Sequence, residues 1–182
     1  MAGSSPHEAV DNFVSPLQLA VSCVCKGVLV ISPRGIDPSF GPHAVSIAQE
    51  IPPRLRCSQR EIYLAVAHQY RIIEDDPTTR GPWRVRSVGY SYILHGEEGR
   101  ELFAYQWHPN SPSPVRTPHV HIGTALGLTD PVIPKLHMPT GRVSLEQVIR
   151  LAVELGAEPI RSDWEELLKK SEESFIQWRS WE

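Results

Sequence analysis

Apolar and polar positions change rhythm along this chain, and each change of rhythm marks an element. From Trp83 the stretch "WRVRSVGYSYIL" alternates, with Val85, Ser87, Gly89, Ser91 and Ile93 on one side and Arg84, Arg86, Val88, Tyr90 and Tyr92 on the other. A period of two residues belongs to a strand. "HGEEGR" is a turn, and "ELFAYQWH" is the strand that returns from it. A proline-rich loop, "PNSPSPVR", leads to a third strand carrying "TPHVHIG". Strands near 84–94, 101–108 and 117–123 therefore predict one antiparallel meander.

Past residue 143 the period lengthens. Leu145, Val148, Ile149, Ala152 and Leu155 form a stripe at helical spacing. Ser144 with Gln147 opens it as a capping box, and Gly156 closes it at the C′ position. Ser162 with Glu165 repeats the opening signal ahead of Trp164, Leu167, Leu168 and Phe175, so helices are expected near 145–155 and 163–176.

The first half is punctuated more heavily. Its first dozen residues are small and polar and read as a mobile tail. "VSCVCKGVLVI" is β-branched and reads as a strand or hairpin, "ISPRGIDPSFGPH" as loop, and residues 43–50 as a short helix stopped by "IPP". In "SQREIYLAVAHQYRIIED", Ser58 and Glu61 offer another capping box, and Ile62, Val66, Tyr70 and Ile73 recur at helical spacing. The same run is aromatic and β-branched enough for a strand, but the helix is favoured. The sum is an α+β domain: an antiparallel β-meander packed by two C-terminal helices, with an N-terminal strand/helix extension. Residues 1–182 read as one domain, divided into a tail (1–15), an N-terminal extension (16–83), a core (84–155) and a C-terminal helix (156–182).

Composition narrows the classes. With 182 residues, 41% hydrophobic and 21% charged, the chain can bury a core of its own. A net charge of -3 gives no general reason to expect nucleic acid or an anionic membrane as partner. A local basic patch is left open, because Arg80, Arg84, Arg86, Arg116 and Arg142 can converge in space. The run "LQLAVSCVCKGVLVI" is too short to span a bilayer and is broken by Lys26. No basic region precedes it to make a signal peptide. A cytoplasmic protein without a membrane partner is expected. The three cysteines are too few for a disulfide framework, and Cys23 and Cys25 read as buried thiols.

The chemistry concentrates in "TPHVHIG". On a strand, His119 and His121 point to one side, while Val120 and Ile122 point to the other, toward the core. His108 ends the neighbouring strand, and His137 follows in "LHMPTGR". Such imidazoles suit two uses. Neutral rings, with His119, His121 and His137 as the ligands, hold a divalent metal such as zinc with a position open for water. Alternatively, His108, His119 and His121 supply the acid and base of phosphodiester cleavage, with Arg116, Arg142 and Thr140 on the phosphate. Against both stands a sheet face that happens to carry histidines. "MPTGR" before a capped helix is a candidate anion-binding nest, although a plain loop-to-helix connection is the commoner use. Known His-x-His patterns do not fit: a histidine-triad hydrolase needs a third alternating histidine where Gly123 stands, and "IGTALGLT" lacks the glutamate of a cupin.

"YSYIL", "ELFAYQWHPNSPSP" and "TPHVHIG", followed by a helix, resemble the TumE-type family, the toxin components of prokaryotic toxin–antitoxin pairs. The resemblance covers residues 88–155. It departs at Val120, where the family has a second adjacent histidine, and at "HPN", where the family tends to have Asp-Asn. What it implies is the meander fold, an antitoxin as partner and possible action on RNA as a ribonuclease-type toxin; it assigns no catalytic residues. The competing class is a non-enzymatic binding or interaction module with a histidine-lined ligand or metal site.

Overall fold

A computed structural model describes residues 2–48, 50–78, 81–128 and 130–178. Along the chain come β1 (Ala2–Gly3), α1 (Pro6–Val21), β2 (Leu29–Ile31), β3 (His43–Ile47), β4 (Tyr63–Thr78) and β5 (Gly81–His95). They are followed by β6 (Glu101–Trp107), β7 (His119–Ile122), β8 (Met138–Pro139), α2 (Leu145–Glu154) and α3 (Trp164–Trp178). The strands form one antiparallel sheet in the order β2-β3-β4-β5-β6-β7-β8, and β1 pairs with β5 at Trp83 and Arg84. The meander and both C-terminal helices thus stand where the alternation and the capping box put them. The Ser144 hydroxyl accepts from the Gln147 N–H, and the Gln147 side chain accepts from the Ser144 N–H.

The three helices pack together on one face. Phe13 of α1 sits edge-on to His68 at 5.1 Å and against Tyr70 at 5.4 Å. Ser171 of α3 reaches both the Pro16 carbonyl of α1, at 2.8 Å, and Glu146 of α2. Under them lies a layer of large side chains, with Leu64, His68, Tyr70 and Tyr92 all essentially out of water.

Several expectations for the first half are corrected. The anticipated tail is β1 and α1. Ser5 caps the helix through the Glu8 N–H, Pro6 stands in the first turn, and Ala9, Val10, Phe13, Leu17, Ala20 and Val21 form its buried stripe. The strand or hairpin anticipated over 21–31 begins only at Leu29. Residues 43–47 are a strand, because His43, Val45 and Ile47 alternate inward. The favoured helix over 58–73 is β4. Residues four apart share a face in a strand as well as in a helix, so Ile62, Val66 and Tyr70 did not discriminate. Leu64, His68 and Ile72 fill the intervening positions of the same buried face.

β5 also departs from simple alternation. Gln69 pairs with Gly89 but Tyr70 pairs with Ser87, so Val88 is an extra residue, a β-bulge. The bulge returns Val85 and Ser87 to the helix face with Tyr90, Tyr92 and Leu94, and leaves Gly89 and Ser91 on the outer face. Ser87 uses that position to bond His68 Nε2 at 2.8 Å. Trp83 packs partly buried against the core. Arg80 of the anticipated basic patch lies outside the described residues. Cys23 and Cys25 are buried, and burial pushes the Cys23 thiol up to about 11. No described helix is long and apolar enough to cross a membrane.

Candidate metal centre

The register of the last three strands builds the histidine site. Gln106 of β6 lies opposite His119, and Ala104 lies opposite His121. On the far side His119 pairs with Pro139 and Val120 with Met138. One residue further along that ladder, His137 comes opposite His121. Two imidazoles on one strand and a third across from them therefore follow from strand parity alone.

The rings meet. Their centroids lie 5.1 Å apart for His119 and His121, 4.8 Å for His119 and His137, and 4.4 Å for His121 and His137. One ligating nitrogen from each falls within 4.8 Å of the other two. Nitrogens sharing a tetrahedral ion at bonds of ~2.1 Å stand roughly 3.4 Å apart, so a closure of up to about 1.4 Å, within reach of side-chain rotation, completes the ligand set.

One of the rings is already oriented. His119 Nδ1 lies 2.8 Å from the Thr117 carbonyl, which can only accept, so this nitrogen donates and Nε2 is the one that can ligate. A backbone carbonyl on the remote ring nitrogen is the usual support of a metal-ligating histidine. Burial, then the neighbouring His137 and His119, push the His121 pKa down, which keeps that ring neutral and able to ligate. His121 has the Pro134 carbonyl near it, which works against the fall of its pKa.

This pocket lies on the sheet face opposite the helices. The connection between β7 and β8 folds across it, bringing Pro134 and His137 and leaving His119 only 4% exposed. Gly123 makes that crossing possible: a Cβ there would lie 1.8 Å from the Glu101 carbonyl oxygen, and its N–H donates to Leu102 at 2.9 Å. Val120 and Ile122 do point toward the helix side, opposite Tyr105 and Phe103, yet both are only half-buried. The expectation that they would be the buried pair is corrected. At the edge of the sheet the helices cover them incompletely, while the β7–β8 connection encloses His119 on the other face.

The remaining candidates separate. His108 is half-buried and close enough to His119 to share its field, and burial and that field lower its pKa, but it stands outside the converging trio. Arg142 lies on the helix side, its guanidinium 3.8 Å over the Trp107 ring. Arg116 is exposed in the loop before β7. Thr140 donates its N–H to the Pro118 carbonyl at 3.0 Å, and the Val143 N–H goes to the Tyr90 hydroxyl at 3.0 Å. Of the anticipated nest, the Thr140 N–H is thus spent on the fold. Thr117, which orients the His119 ring through its carbonyl, carried no side-chain signal that could have found it. No family model, curated protein or solved structure matches this chain.

Proposed function

We propose that this chain is a cytoplasmic metal-dependent hydrolase of phosphodiesters, with His119, His121 and His137 holding a divalent ion such as zinc. The observation that carries the reading is the gathering of three ring nitrogens within 4.8 Å of one another, one of them on a ring oriented through a backbone carbonyl. Three protein ligands with one position open is the ligand count of catalytic zinc sites. Bound there, zinc would supply a Lewis acid and a water acidified toward neutral pH. The chain's own part is to orient His119, keep His121 neutral and cover the cluster with residues 130–137. His108, beside His119, is the nearest further imidazole for moving a proton. The lowered His108 and His121 pKa values favour ligand and base roles over that of a general acid at neutral pH. The TumE-type resemblance belongs with this reading, and with it a toxin role, an antitoxin partner and RNA as substrate.

Metal analysis of purified protein tests it. About one zinc per chain is expected, lost in His119→Ala and His121→Ala with the fold retained. A simple chromogenic phosphodiester should be hydrolysed only by the loaded protein. Metal uptake without hydrolysis of any phosphodiester would leave the competing reading, a non-enzymatic metal or ligand module. Uptake unchanged in both variants would end the proposal.

A further inference from the structure

The outer face carries a second unusual feature. Arg71 of β4 and Arg86 of β5 are directly opposed in the register, and both are exposed. Like charges facing each other across strands destabilise a sheet. Arg84, on the same face, shows the ordinary solution: its guanidinium meets Asp75 at 2.7 Å. Among the described residues neither Arg71 nor Arg86 has an ion-pair partner within reach. Arg86 also adds to the positive field at Arg142, whose pKa falls to about 10, chiefly through burial. Arg142 itself lies on the helix side, flat on Trp107, and is no part of the outer-face pair.

The surface between these arginines and the histidines carries no charged side chain on β4 or β5, and Gln69 lies over Gly89. Ala67, Gly89, Ser91 and Gln106 face outward there, and Ser91 pairs with Gln106, which pairs with His119. Two strand spacings of about 4.8 Å and four residues of rise at about 3.3 Å separate Arg86 from His119, a diagonal of roughly 16 Å. One phosphate cannot bridge that span. A chain of phosphates, spaced about 3.4 Å or more along a strand, covers it in several nucleotides.

We propose that Arg71 and Arg86 form the entry of a track for the backbone of a single-stranded nucleic acid, which runs over the outer face toward the histidine cluster. These like charges, without an ion-pair partner among the described residues, acquire their counter-charge from phosphates. The cover that residues 130–137 lay over the far end favours one strand over a duplex. The ligand class rests on the phosphodiesterase reading, but binding on this track needs no metal.

Fluorescence anisotropy with labelled single strands of roughly ten nucleotides, ribo and deoxyribo, measures the binding. Arg71→Gln/Arg86→Gln should weaken it at least tenfold, and should make the salt dependence shallower by about 1.4 in log–log slope, the loss of two phosphate contacts. Arg84→Gln should change the affinity little, because Asp75 already neutralises that side chain. His119→Ala should bind the oligonucleotide like the parent while losing metal and hydrolysis, so the track and the metal centre can fail separately. Discrimination between ribo and deoxyribo strands by this protein would identify the natural source, and equal affinity would mark recognition through phosphates alone; both support the track. Unchanged affinity in the double variant, an equal loss in Arg84→Gln, or preference for duplex would overturn it.

Discussion

His68 and the histidine cluster lie on opposite faces of one sheet and differ in how their nitrogens are satisfied. His68, 2% exposed on the helix face, has both ring nitrogens bonded, one to the Tyr92 hydroxyl and one to Ser87, with Phe13 against its ring. His119 is almost as deeply buried at 4%, but only Nδ1 is bonded to the backbone, and its other edge faces two more imidazoles. Burial does not distinguish them. What does is a lone pair kept available beside others, an arrangement that costs stability unless something occupies it. The helix-face histidine completes a core, whereas the outer-face cluster has the form of a site.

The strongest way to break this contrast is to damage the core and watch the site. Phe13→Ala should cost roughly 3–5 kcal/mol in urea unfolding, since it removes the aromatic that packs against both His68 and Tyr70. Zinc stoichiometry in the fraction still folded should not change. Loss of metal along with that stability would show that the two faces are not independent. Next in size is zinc itself. At a hundredfold excess over its Kd it should add about 2.7 kcal/mol of stability, visible as a rise in Tm that His137→Ala abolishes. His68→Gln should keep that rise; losing it would erase the distinction.

The sequence disclosed the two faces unequally. β5, β6 and β7 alternate and are joined by turn residues, so the shared side of His119 and His121 could be read directly. The convergence of His137 could be named as a candidate but not placed, because its partner position depends on how residues 123–137 fold back. α1 was missed although "SSPHE" carries a capping signal, since Pro16 interrupts the run that follows. β4 was misread because spacing by four fits both periods. The Val88 bulge has no signature in the residues themselves. It is set by the pairing with β4, and it decides that Ser87 serves the core while Arg86 faces the outer surface.

A smaller effect sharpens the assignment of faces. Ile122 points toward the helices but is only half-buried, so Ile122→Ala should cost about 1–2 kcal/mol, below the range of a fully enclosed isoleucine. Thermal or urea unfolding reads this directly. A cost above about 3 kcal/mol would mean that the helix face is sealed further toward the sheet edge than the exposure of Ile122 indicates.

The smallest effect lies in acid. The folded protein lowers the His121 pKa, chiefly by burial and then through His137 and His119, so it resists charging a ring that the unfolded chain charges freely. The unfolded state then binds more protons, and stability rises with pH between the folded and unfolded pKa values. This contribution is complete above the ordinary histidine range near 6.5 and is lost as pH falls through the lowered value. His121→Gln should therefore flatten part of the metal-free protein's loss of stability between about pH 7 and 5. Zinc should steepen the loss in the parent protein, because protons and metal compete for the same lone pairs. A metal-free pH profile identical in parent and variant would remove His121 from the acid response. If zinc also left the parent's profile unchanged, the outer-face histidines would be as structural as His68.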